Sequence, residues 1–198
     1  MMGFAKAISF FLGPVFILLP IPFILVARFT QDYSALKWTV FSYAFILAVA
    51  VFVIMGVLLG VFSNFDVSKR EQRPLLFSFS AFVMFCYLLS LYILDGPKVL
   101  FIAFFAILLG LAVIVVVNKW IKASIHMASA TSVLLFIGII YRGNFFLLLF
   151  LIPLLAWSRV KLKEHTPMET LIGTILGLVI TLVVYFVSKQ FFSEMLYN

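Results

Sequence analysis

Long apolar runs alternate with short polar breaks along almost the whole chain. A membrane-spanning helix needs about 20 predominantly apolar residues. On that measure the pattern predicts seven candidate spans, roughly 8–27, 40–62, 75–94, 98–117, 124–141, 144–157 and 167–187. The first carries Pro14, Pro20 and Pro22, which remove backbone donors and are expected to kink it or split its end. Gly56 and Gly60 in the second form a GxxxG, expected to let a neighbouring helix approach closely. Asp95-Gly96-Pro97 predicts a tight turn between the third and fourth. The sixth is short and contains Pro153. The expected fold is all-α: a polytopic membrane helix bundle of about six or seven transmembrane helices, forming one transmembrane domain over 1–198.

Composition narrows the class further. Of 198 residues, 66% are hydrophobic and 11% charged, more apolar surface than a soluble domain of this length can bury. Cys86 is the single cysteine, so no intramolecular disulfide and no metal-thiolate site is expected. The net charge of +7 suits membrane lipids and a phosphate-bearing substrate, with no nucleic-acid partner, because no soluble basic domain exists to hold one. Lys6 gives only a weak n-region, and the apolar run to Val26 is too long and lacks a small-residue cleavage site, so a cleaved signal is not expected. The protein is expected to be an integral, multi-pass protein of the cell (plasma) membrane.

Against this background one stretch stands out. Residues 158–173 read Ser158-Arg159-Val160-Lys161-Leu162-Lys163-Glu164-His165-Thr166-Pro167-Met168-Glu169-Thr170-Leu171-Ile172-Gly173, a dense polar cluster between two apolar segments. Its spacing resembles the third signature of the type 2 phosphatidic acid phosphatase (PAP2) family, SRxxxxxHxxxD with a glycine four residues after the acid. Glu169 stands where that family usually carries aspartate. The segment 122–128, with Ser124 and His126, resembles the family's second signature, PSGH, with Ala123 and Ile125 in place of the proline and glycine. The segment 64–74 ends in Arg73-Pro74, as does the first signature, KxxxxxxRP, but its lysine slot holds Asp66. The chain has two histidines, and both fall on signature positions. By the helix count these three loops lie on one side of the membrane.

The resemblance implies hydrolysis of a lipid phosphate or diphosphate through a phosphohistidine, and the residues suit that chemistry. Neutral imidazole is a good nucleophile near neutral pH, which gives His165 the attack on phosphorus. Glu169 is expected to accept a hydrogen bond from the other ring nitrogen, and His126 to protonate the leaving oxygen as general acid. Arg159, Arg73, Lys122 and Lys69 are the expected grips on phosphate oxygens, with Ser124 and Ser158 beside them. No cofactor and no metal is expected: Asp32, Asp66 and Asp95 lie far apart, and neither DxxxD nor HExxH occurs.

Simpler roles compete for some of these residues. Thr166-Pro167-Met168-Glu169 is also an S/T-x-x-E capping box with proline at the first helical position. Ser124 is a natural N-cap. Lys161 and Lys163 suit headgroup anchors, and Gly173 with Gly177 suits helix packing. Two other functions stand as rivals. One is a UbiA-type prenyltransferase, loosely suggested by Asn64-Phe65-Asp66 and Arg73-Pro74, although its paired aspartate-rich motifs are missing. The other is a non-enzymatic lipid-binding protein with the phosphatase fold.

Overall fold

The computed structural model describes residues 1–29, 34–65, 67 and 69–191; Asp32 and Asp66 lie outside this set. The described residues are helical with no strand. The chain forms two compact units, Met1–Ile21 together with the chain from Phe105 onward, and Pro22–Phe104.

The prolines act as expected at the N-terminus. The first predicted span is three short helices, α1 (Met2–Phe11), α2 (Pro14–Leu18) and α3 (Ile21–Phe29). Pro14 sits at the first helical position of α2, where its missing N–H costs nothing. The other elements are α4 (Ser34–Leu58), α5 (Arg73–Ile93), α6 (Lys98–Val117), α7 (Ile125–Tyr141), α8 (Leu151–Lys161) and α9 (Pro167–Phe191). A 3₁₀ segment, Gly143–Phe150, leads into α8 and supplies the length that its 11 α-helical residues lack. Among the described residues, five stretches are long and apolar enough to cross a membrane: Ala35–Leu58, Arg73–Ile93, Lys98–Val117, Gly143–Lys161 and Pro167–Gln190. The N-terminal segment, bent by 45° between Leu18 and Ile21, brings the number to six when counted as one span, and the apolar α7 is shorter than these. The protein is an all-α, polytopic membrane protein.

In the Pro22–Phe104 unit, α4 packs on α5, and the rings of Phe52 and Phe79 stack at 3.8 Å between centroids. The Gly56/Gly60 pair does not form a helix-packing groove. Gly56 makes room for the ring of Phe62, and Gly60, at φ +74° beyond the end of α4, reverses the chain. The turn after α5 does form, with Gly96 N–H donating to Leu91 O at 2.8 Å.

In the other unit α7 and α9 form the main helix pair, with α1 on α8 and α2 on α7. Gly173 and Gly177 explain how close α7 and α9 come. A methyl group at Gly173 would lie 2.5 Å from the carbonyl oxygen of Ser124, and one at Gly177 would run into the backbone of Ala128. Without a driving force from water, membrane helices associate through such close approach and interhelical hydrogen bonds. Ser132 Oγ donates to Gly177 O at 2.9 Å, and Thr181 Oγ1 to Ser132 O at 3.2 Å. Ser124 N–H donates to Glu169 O at 3.2 Å. These contacts hold the first turn of α7, which carries His126, against the first turn of α9, which carries Glu169.

Candidate active site

The polar cluster lies where α8 ends and α9 begins. The turn between them is a Schellman motif, in which Lys163 N–H donates to Val160 O at 3.0 Å and Glu164 N–H to Arg159 O at 3.2 Å. Its left-handed residue is Lys163, at φ +57°, where glycine is usual. The reversal returns the chain past the end of α8, so that Arg159 and His165 share one end of the unit.

Glu169 serves both expected purposes with one oxygen. Its Oε2 accepts from Thr166 N–H at 3.2 Å, while Glu169 N–H donates to Thr166 Oγ1 at 3.3 Å, which completes the capping box. The same Oε2 lies 2.8 Å from His165 Nδ1. With the ring neutral, Nδ1–H donates to the carboxylate and the proton-free nitrogen is Nε2. Burial holds the His165 pKa below its ordinary 6.5, and the positive charges of Arg159 and Lys122 push the same way. The Glu169 hydrogen bond pulls in the opposite direction without cancelling them. His165 is therefore a neutral imidazole at neutral pH.

Arg159 is 8% exposed. Its Nη1 donates to Ser9 Oγ of α1 at 2.6 Å, and its Nη2 lies 3.9 Å from the exposed Glu164 carboxylate. Lys122, in the loop before α7, donates to Glu164 O at 3.1 Å and so ties that loop to the α8–α9 turn. His126 stands within electrostatic reach of both His165 and Arg159. Its Nε2 faces Gly13, where a methyl group would come within 3.3 Å of it. Residues Lys122, His126, Arg159, His165 and Glu169 are thus gathered in one unit.

The two serines do other work. Ser158 is fully buried and its hydroxyl donates to Ala5 O at 2.7 Å, pinning α1 to α8. Ser124 is fully buried and its Oγ accepts from Met127 N–H as the N-cap of α7. The Ser158 bond joins α1 to α8, and the Ser124 bond closes the first turn of α7. Arg73 and Lys69 belong to the other unit, where Arg73 Nε donates to Val67 O at 3.3 Å and Lys69 is exposed.

Sequence reasoning passed over the N-terminal helices: α1 meets Ser158 and Arg159, and Gly13, between α1 and α2, faces His126. A signal for them was present. Lys6 stands seven residues before Gly13-Pro14, the spacing of KxxxxxxRP with glycine in the arginine's slot.

Comparison with known families bears on the same region. Residues 118–192 match the PAP2 superfamily. The matched segment runs from the loop before α7 through α9 and contains His126, Arg159, His165 and Glu169. The match supports a phosphatase-type function and covers the second and third signatures read from the sequence. No curated protein and no solved structure matches the chain.

Proposed function

We propose that the protein is a membrane-embedded lipid phosphatase that hydrolyses a lipid phosphate or diphosphate through a phosphohistidine on His165, without a metal, in the cell membrane. The observation that carries this reading is the 2.8 Å contact between His165 Nδ1 and Glu169, which leaves Nε2 as the nucleophile beside Arg159 and Lys122.

The phosphate dianion binds against Arg159 and Lys122, whose charges offset its desolvation. Its arrival favours the imidazolium form of His126. The Nε2 lone pair of His165 forms the bond to phosphorus as the bond from phosphorus to the leaving oxygen breaks. His126 gives its proton to that oxygen, and Glu169 stabilises the positive charge on the His165 ring. Water then attacks phosphorus, His126 accepts its proton, and the N–P bond breaks. The products are the lipid alcohol and orthophosphate, or the lipid monophosphate and orthophosphate from a diphosphate. The lipid tail lies among the apolar helices while the headgroup enters the polar loops.

Purified protein assayed in EDTA against a panel of lipid monophosphates and diphosphates tests this reading. Release of orthophosphate in EDTA is the expected result. A strict magnesium requirement would favour diphosphate chemistry of the prenyltransferase kind, and binding without turnover would favour a lipid-binding protein.

A further inference from the structure

The contacts of a serine in the N-terminal helix point into the site. Ser9 is 6% exposed, and its Oγ accepts from Arg159 Nη1 at 2.6 Å, across 150 residues of chain. Two further contacts fix the same helix beside the PAP2 segment. Ser158 Oγ holds Ala5 O one turn earlier, and the α1–α2 break at Gly13 faces His126 Nε2. From these contacts we infer that Ser9 is a positioning residue for phosphate binding, acting by fixing the guanidinium of Arg159 in the site. The inference rests on the lipid phosphatase reading for its substrate, and on the geometry alone for the contact.

The chemistry of the partner is the reason. A guanidinium this buried needs acceptors, since an unsatisfied charged donor is costly in low dielectric. A carboxylate at 2.6 Å would satisfy it but would also cancel the charge that a phosphate must meet. A serine hydroxyl satisfies one N–H and leaves the positive charge in place. The Glu164 carboxylate, at 3.9 Å and exposed, is too loose and too well screened to neutralise it. The Ser9 bond therefore helps to hold Arg159 in one orientation, with its rotamer entropy lost on folding instead of on binding.

Three variants separate the hydroxyl from the packing. Ser9→Ala removes the acceptor, Ser9→Thr keeps it, and Ser9→Val has the shape of threonine without it. Orthophosphate binding is measured by calorimetry on the full-length protein in detergent, with lipid phosphate hydrolysis and thermal stability followed in the same samples. Ser9→Ala and Ser9→Val should weaken orthophosphate binding about tenfold, the loss expected of one hydrogen bond to a charged group, and raise KM more than they lower kcat. Ser9→Thr should stay close to the wild type. The acid limb of kcat/KM should also move up in the Val variant but not in the Thr variant, because Arg159 helps to hold the His165 pKa down. Unchanged phosphate affinity in Ala and Val would overturn the inference, as would equal losses in Thr and Val with a matching loss of stability. A wild type that hydrolyses no lipid phosphate, yet binds orthophosphate in a Ser9-dependent way, would sink the phosphatase reading and keep this one. A wild type that neither hydrolyses nor binds phosphate would end both.

Discussion

Glu169 Oε2 lies 2.8 Å from His165 Nδ1 and at the same time caps the backbone N–H of Thr166 at 3.2 Å. One oxygen thus joins the start of α9 to the ring of the proposed nucleophile. Capping and orientation are not alternatives here, because the capping box places the carboxylate where His165 meets it four residues earlier. That single geometry ties helix stability to the tautomer of the ring.

Replacing the nucleophile should be decisive. His165→Ala is expected to abolish turnover while leaving a folded protein, since the ring is half-buried at a turn and not within a helix core. Wild-type enzyme quenched during turnover should carry acid-labile, base-stable phosphate, and the variant none. Full activity in His165→Ala would remove the phosphohistidine from the mechanism.

Glu169→Gln separates the two roles of that oxygen. Glutamine still serves the capping box, so the melting temperature should change little. The lost negative charge should lower kcat by about 10²-fold or more, as neutralising the orienting acid beside a catalytic histidine does elsewhere. Glu169 also raises the His165 pKa, so the acid limb of kcat/KM should move to lower pH in this variant. Near-normal kcat with an unmoved acid limb would leave Glu169 as a cap alone.

The wild-type pH profile follows from the same shift. Burial and the neighbouring cations hold His165 below its ordinary 6.5. Protonation removes the nucleophilic lone pair, so activity is present above the depressed pKa and lost as the pH falls through it. The acid limb of kcat/KM should therefore lie below pH 6.5 in the wild type. A limb above that value would contradict the dominance of burial.

His126 is tested by its leaving group. A lipid alkoxide, with a conjugate-acid pKa of about 16, needs a proton in the transition state, and p-nitrophenolate, at about 7, hardly does. His126→Ala should therefore lower hydrolysis of a lipid monophosphate by about 10²–10⁴-fold and spare much of the turnover of an aryl phosphate in the same sample. Equal losses would assign His126 to phosphate binding or structure.

Lys163 offers a stability test free of the chemistry. It is exposed and sits at φ +57° in the turn between Arg159 and His165. A non-glycine residue in that region costs about 1–2 kcal/mol, partly offset by the greater chain entropy of unfolded glycine. Lys163→Gly should raise thermal stability by up to about 1 kcal/mol with kcat unchanged. A fall in stability would mean that the lysine side chain holds the turn.

The sequence by itself determined the class of fold and the chemistry of the cluster. Apolar runs of spanning length announce membrane helices because hydrocarbon tolerates only backbone that bonds to itself. Pro14 and Pro20 announced the N-terminal breaks because proline removes a donor wherever it stands. His165 and Glu169 were legible because four residues on one turn form a local relationship, and their spacing alone brings them together. Tertiary structure decided what depends on contacts distant in sequence. Packing buries Ser158 and Ser124, and sets the first against Ala5 and the second at the start of α7 as its N-cap. The GxxxG at Gly56 carries the same letters as that at Gly173. Only the second has a helix backbone facing it, and nothing local encodes the difference. Ser9, an unremarked serine in an apolar run, meets Arg159 only because α1 packs on α8. A hydrogen bond between residues 150 apart is a property of the packed helices, and the sequence around either partner does not contain it.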